Sequence, residues 1–234
     1  DWRVIWLYSS YFVLLVIIPL NFFQLKNQKD RDKIYKDKLK VEEQSLVKDK
    51  VIQVSLKYAL RDKKFWLVQP AILAATAIIF SIQFHQLHII STKSWTIELY
   101  ASSYIVFSIT LLLGSLVAGH IVDKLGSTKL MCLYLLPLIP ALFLLGFFNN
   151  YIFIFIIMSL TGFSYGMCLV AFITIWAELY GTKFMGEIRT FNFSMNVLLT
   201  SVAMALTGWL IDIDISLKEL CIGGIILILL SIIS

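Results

Sequence analysis

His85 and His88 lie three residues apart near the end of an apolar run, with Gln83 two residues before the first of them. Imidazole is the side chain whose ordinary pKa lets it exchange a proton near neutrality, and helix positions three apart share a face. This pair could therefore pass protons or hydrogen-bond a solute, with Gln83 as an added amide. Ser164 and Tyr165 lie in the middle of a second apolar run and offer two hydroxyls. Asn196 and Thr200, four apart in a third, offer an amide and a hydroxyl on one helix face. Polar side chains in such runs are expensive unless they meet a partner or a cavity. Each of these groups thus reads as a contact to a solute, as a stitch between helices or, for the histidines, as a group at the water edge.

Other chemistry has no support. The interiors of the runs carry no carboxylate for a proton relay and no arginine for an anion. The sequence contains no Walker loop, no metal-ligand spacing and no nucleophile–base pair, so neither an enzyme nor a cofactor is expected. Cys132, Cys168 and Cys221 each sit among apolar residues and read as small hydrophobes, without a disulfide framework.

The elements that must hold these groups follow from composition. The 234 residues are 59% hydrophobic and 15% charged, against about 25% charged in ordinary globular chains; the mean hydropathy is +0.83. Lipid is the solvent of such a chain. A helix needs roughly 20 apolar residues to cross a bilayer core, and seven stretches approach that length: 4–23, 66–90, 99–122, 130–148, 151–176, 191–211 and 219–234. Barrel strands would alternate, whereas these runs are continuously apolar. The chain begins with Asp1 and closes at Ser234 inside an apolar run, as expected of a piece of a longer protein.

The net charge of +5 is not a nucleic-acid signal. Thirteen of the twenty basic residues and seven of the fifteen acidic ones fall in residues 24–64, a strap without glycine or proline. Placing that strap in the cytoplasm puts seventeen basic residues inside and three outside, which the positive-inside rule favours. The segment from Ser55 to Trp66 reads as a short interfacial helix leading into the second span. Pro19, Pro70, Pro137 and Pro140 mark helix ends or kinks. Gly162 with Gly166, and Gly114 with Ala118, are small-residue pairs suited to close helix approach.

Two loops carry a resemblance. The 119–129 stretch holds Gly119, Asp123, Lys124 and Gly126, in the order of a G-x-x-x-D-[RK]-x-G-[RK]-[RK] loop, with Ser127 and Thr128 where basic residues are usual. One span, a strap and six further spans, with this loop after the third span, resemble the major facilitator superfamily from its sixth helix to its twelfth. The 176–189 stretch, with Glu178, Lys183 and Arg189, resembles the corresponding loop of the monocarboxylate and oxalate/formate transporter branch. So do Ala59, Leu60, Arg61, Phe65 and Trp66 ahead of the second span.

The resemblance implies an all-α polytopic membrane protein in three parts: the last helix of an N-terminal bundle (1–23), a basic cytoplasmic linker (24–64) and a C-terminal six-helix bundle (65–234) with its last helix truncated. It implies a secondary transporter in the plasma (inner) membrane, moving a small solute such as a monocarboxylate-like anion by alternating access. Its partners would be that solute, the lipid bilayer and the missing N-terminal half, with no nucleic acid. The solute path would run past Gln83, His85, His88, Ser164, Tyr165, Asn196 and Thr200. Gly119, Asp123, Lys124, Gly126, Glu178, Lys183 and Arg189 would form a cytoplasmic latch. Seven spans also fit a receptor or sensor without transport activity, although a 41-residue strap after the first span does not suit that layout.

The orientation is testable in intact cells. A Lys36→Cys variant should resist an impermeant thiol reagent added from outside and react once the membrane is opened. Efficient labelling from outside would reverse the topology.

Overall fold

A computed structural model describes residues 2–25 and 54–233, and the expected strap lies outside the described residues from 26 to 53. The chain divides into two compact units, Asp1–Val51 and Ile52–Ser234. All regular structure among the described residues is helical. Six segments are long and apolar enough to span a bilayer: Arg3–Phe22, Lys63–Phe84, Ile97–Leu125, Ser127–Phe147, Phe153–Tyr180 and Met185–Asp212. A seventh helix, Leu217–Ile233, has 17 residues, about 25 Å at 1.5 Å per residue.

The first unit is one apolar rod. Helix α1 (Trp2–Phe12) runs through a π-helical turn at Val13–Ile17 into α2 (Ile18–Leu25). Proline at position 19 explains the widened turn. Its ring crowds the carbonyl four residues back and it offers no N–H, so the ladder shifts register and the Ile18 N–H bonds to the Val13 carbonyl.

The second unit holds α3 (Leu56–Ala59), α4 (Lys63–Phe84), α5 (Gln86–Lys93), α6 (Ile97–Leu125), α7 (Ser127–Leu133), α8 (Leu138–Phe147), α9 (Phe153–Tyr180), α10 (Met185–Asp212) and α11 (Leu217–Ile233). The expected interfacial helix before the second span is α3, and the Trp66 indole N–H donates to the Leu60 carbonyl at 2.9 Å. Two expected spans are interrupted. The second breaks at His85 (φ −91°, ψ 26°) into α4 and α5. The fourth breaks between α7 and α8, just ahead of Pro137 and Pro140. In that break the Leu138 N–H bonds to Leu135, not to Tyr134. The Tyr134 carbonyl is taken instead by the Ser164 hydroxyl of α9, at 2.6 Å.

Helices α6 and α9 make the most intimate contact, and glycine makes it possible. A Cβ at Gly114 would strike the Phe163 carbonyl oxygen; at Gly162, that of Phe107; at Gly166, that of Leu111. The backbones touch where side chains would otherwise stand, so both small-residue pairs read in the sequence face each other here. Helix α10 packs on α4, and α11 packs on α8 and α4. The buried core runs through all of these, from Phe65, Ile72 and Ile79 to Leu138, Trp176 and Ile228.

Both ends of the bundle are tied. At one end the Val54 N–H bonds to the Tyr180 carbonyl at 3.1 Å, and the Tyr180 hydroxyl donates to Asp62 at 3.2 Å. Asp62 also caps α4 by accepting from the Lys64 N–H. At the other end, buried Lys93 donates to the Phe148 carbonyl at 3.0 Å and to Asn149 Oδ1 at 2.8 Å. Trp95 donates to the Asn149 carbonyl at 2.9 Å. Burial pulls the Lys93 pKa down, and the neighbouring Cys221 opposes that shift.

The glycine contact generates a comparison. Gly166→Ala should cost about 1–3 kcal/mol, the range for forcing atoms into a filled core, seen as a lower thermal unfolding midpoint in detergent. Gly186→Ala, where nothing lies within 4 Å of the added carbon, should leave the midpoint unchanged or slightly raised. Equal effects would show that the two helices do not meet as described.

Candidate functional site

The interface of α4 and α10 carries a polar seam through an otherwise apolar bundle. Both helices start at the end marked by Gly126 and Gly181, so they run parallel. Asn196 Nδ2 donates to Thr76 Oγ1 at 3.2 Å, and Thr200 Oγ1 lies 3.3 Å from the same atom and 3.5 Å from Asn196 Oδ1. All three residues are buried. Farther along, Thr207 Oγ1 meets Ser81 Oγ at 3.3 Å, and His85 Nε2 meets the Met204 carbonyl at 3.1 Å. Gly208 makes room for the imidazole, since a Cβ there would stand 3.2 Å from His85 Cε1.

Gln69 of α4 and Asn192 of α10 lie toward the Gly126 end of these two helices. Gln69 is 4% exposed and Asn192 fully buried, and neither amide has a hydrogen-bond partner among the described residues. The seam is thus a column of neutral donors and acceptors with one titratable group, His85. Each of its hydrogen bonds contributes only about 0.5–1.5 kcal/mol net, so the column can exchange partners at modest cost.

The expected path residues separate on this geometry. Asn196, Thr200 and His85 belong to the seam. Thr76, Ser81 and Thr207 complete it, with Gln69 and Asn192 buried nearer the Gly126 end of the same two helices, and sequence reasoning singled out none of these five as a site residue. Their signal was available only as polar residues in two spans at matching heights. Ser164 is committed to the Tyr134 carbonyl, inside the bundle and away from the seam. Tyr165 is half-buried between α4 and α6, its ring edge-on to Phe80 at 5.8 Å and stacked on Phe107 at 6.3 Å. Gln83 is half-buried on α4 and His88 half-buried on α5. His85 is itself the break between α4 and α5, so only His88 lies on a helix, where its Nε2 lies 3.5 Å from Thr92 Oγ1.

The expected latch residues gather at the Gly126 end. Gly126 (φ +84°) ends α6 and Gly181 (φ +77°) ends α9 in the left half of backbone space that glycine tolerates. Glu178 of α9 reaches across to the start of α7: its Oε2 accepts from the Ser127 N–H at 2.7 Å and from the Ser127 hydroxyl. A carboxylate at that place also meets the positive end of α7. A Cβ at Gly126 would stand 3.2 Å from the Glu178 carboxylate, a second reason for glycine there. The carboxylate that accepts from a helix N-terminus at this end is therefore that of Glu178, not of the motif's Asp123. Asp123 and Lys124 are exposed at the end of α6, Lys183 is exposed in the following loop and Arg189 is half-buried on α10. Gly119 lies on α6 with open space around it. Ser127, noted in the sequence only as a departure from the motif, partners Glu178 here, and Tyr180 bonds to Asp62, neither of which was expected at the site.

Compared with known proteins, residues 1–204 match the family model described as Major Facilitator Superfamily. No curated protein matches the chain.

The cap on α7 yields a measurable cost. Glu178→Ala leaves the Ser127 N–H without its acceptor and should destabilise the full-length protein by about 1–3 kcal/mol. Glu178→Gln keeps an acceptor oxygen and should recover part of that loss. Identical melting of all three proteins in detergent would mean that the cap is not made.

Proposed function

The chain belongs to the Major Facilitator Superfamily, and on that premise we propose that it is part of a secondary active transporter working by alternating access on a small solute. Membership, with six helices able to span a bilayer, makes it an integral membrane transporter. On the proposed reading, 1–23 is the last helix of an N-terminal bundle, 24–64 the linker and 65–234 the C-terminal bundle. The Gly126 end and the linker face the cytoplasm, in a plasma (inner) membrane. The charge asymmetry of the loops supports this orientation.

The observation that carries the site is the buried seam between α4 and α10. In this reading Thr76, Asn196 and Thr200 exchange some of their mutual hydrogen bonds for bonds to the solute. His85 sits one helix segment farther along, where it can gain or lose a proton as its bond to the Met204 carbonyl is made or released. The finer reading, a monocarboxylate-like organic anion, is supported by the likeness of the 176–189 stretch to that transporter branch. Protonated His85, or the N-terminal half, would supply the counter-charge. Gln83, His88 and Tyr165 flank the path, and the Gly126-end cluster of Asp123, Lys124, Glu178, Lys183 and Arg189 acts as the cytoplasmic latch, opening when the inner side opens.

Uptake by the full-length protein in proteoliposomes tests this. Asn196→Ala should lower uptake at least about tenfold, or about 1.4 kcal/mol, with reconstituted protein unchanged. His85→Gln should flatten the pH dependence of uptake. Asp123→Asn should shift the balance of inward and outward thiol accessibility. Normal rates, pH profile and accessibility in these variants would remove the seam and the latch from the mechanism.

A further inference from the structure

A crevice of about 530 Å³ opens beside His85, between α4, α8, α10 and α11, and reaches Ser81 and Thr207 of the seam. Its depth is lined by Ile78 and Leu142, and its sides by Leu206 and Leu210 of α10 and Leu220 and Leu227 of α11. Helices α10 and α11 both pack on α4, and the crevice parts them from each other. The mouth is open: Leu206 is 53% exposed and Leu227 44%. Leu206 lies six residues from the end of α10, about 9 Å down the helix axis. Leu227 lies ten residues into α11, about 15 Å along it. Both are therefore at the depth of hydrocarbon, and the crevice opens sideways into the bilayer.

That placement selects the occupant. A void beside packed side chains forfeits dispersion contacts, and an apolar cavity does not hold water. The volume suits a flexible ligand of moderate size. The apolar molecule present at that depth in every membrane is a phospholipid. Polar groups line it in two places: Ser81, His85 and Thr207 where it meets the seam, and His88 and Glu219 at the rim toward the Asn149 end, at the level of head groups. Gly223 widens the slot, since an added Cβ there meets nothing within 4 Å. Gly224 lets α11 close on α8, its Cβ position standing 3.0 Å from Leu142.

We propose that this crevice is a lateral lipid site: one phospholipid acyl chain, from the leaflet at the Asn149 end, lies between α10 and α11 with its head group at the His88–Glu219 rim. The chain and the seam share His85, which lines the crevice while bonding to the Met204 carbonyl. A seated tail thus packs against α10 next to Ser81 and Thr207, directly beside that bond.

The test uses the full-length protein reconstituted in vesicles of phosphatidylethanolamine and phosphatidylglycerol whose acyl chains carry a photoreactive diazirine. Photolysis follows extraction and washing in detergent, which strips loosely held lipid. The peptide containing residues 223–227 should then carry on the order of tenfold more label than the peptide containing Leu112 and Leu116, exposed residues on α6, a difference of about 1.4 kcal/mol. Gly223→Phe, which fills the slot, should remove that excess, and Gly223→Leu should reduce it, with labelling of the α6 peptide before washing unchanged. Equal labelling of the two peptides after washing would overturn the proposal. So would an excess that survives both substitutions, or cross-linking that joins α11 to a second protein chain instead of lipid.

Discussion

In hydrocarbon no water is at hand for a peptide group, and every departure from a straight helix must be answered by a named atom of the protein. That constraint organises the second unit. Where the fourth span breaks ahead of Pro137, the Tyr134 carbonyl turns to the Ser164 hydroxyl. Where α7 begins, Glu178 accepts from its first N–H. Where α8 ends, Lys93 reaches the Phe148 carbonyl. Where the second span breaks, His85 keeps its backbone bond to Ser81 and sends its ring to the Met204 carbonyl. Most polar residues that look expensive in the sequence are placed where backbone or another polar side chain needs them, while buried polar atoms of Gln69, Tyr100, Tyr134, Trp176 and Asn192 have no hydrogen-bond partner among the described residues.

Much of this was legible in the sequence. Seven apolar runs gave the helices, the small-residue pairs at 114/118 and 162/166 fell on the face where α6 meets α9, and the glycine at 126 ended its helix as the loop motif implied. The break at His85 was not legible, because an apolar run reads the same whether its helix is continuous or kinked at a residue that is neither glycine nor proline. The seam was half legible: Asn196 and Thr200 stood out by spacing, but Thr76 is an unremarked threonine until the register of α4 on α10 brings it to them, and register between distant helices leaves no trace in a single chain. Ser164 was read by type and depth alone, which cannot distinguish a hydroxyl facing a path from one committed to a carbonyl. At the Gly126 end the loop motif did not point to the residue that makes the contact. Asp123 carries the motif, but the reach across to α7 belongs to a glutamate on a helix that lies far away in sequence.

His85 connects the two regions of interest. One edge of its ring faces the column of Thr76, Asn196 and Thr200 by way of the Met204 carbonyl, and the ring also lines the crevice that α11 borders. The imidazole thus touches both an exchangeable polar column and a largely apolar slot. The absence of a side chain at Gly208 is what allows a ring to occupy that position at all.

The two parallel contacts of the bundle differ in kind, and that difference gives the molecule a direction. Between α6 and α9, carbonyl oxygens sit in notches where Cβ atoms are missing, so sliding one helix along the other drives backbone into backbone. Between α4 and α10, the contact is made by hydroxyls and amides that have alternative partners one turn away. The first pair behaves as a keyed joint and the second as a ratchet with soft teeth. A load applied to the bundle will therefore be taken up as displacement along α4 and α10 and transmitted without loss through α6 and α9.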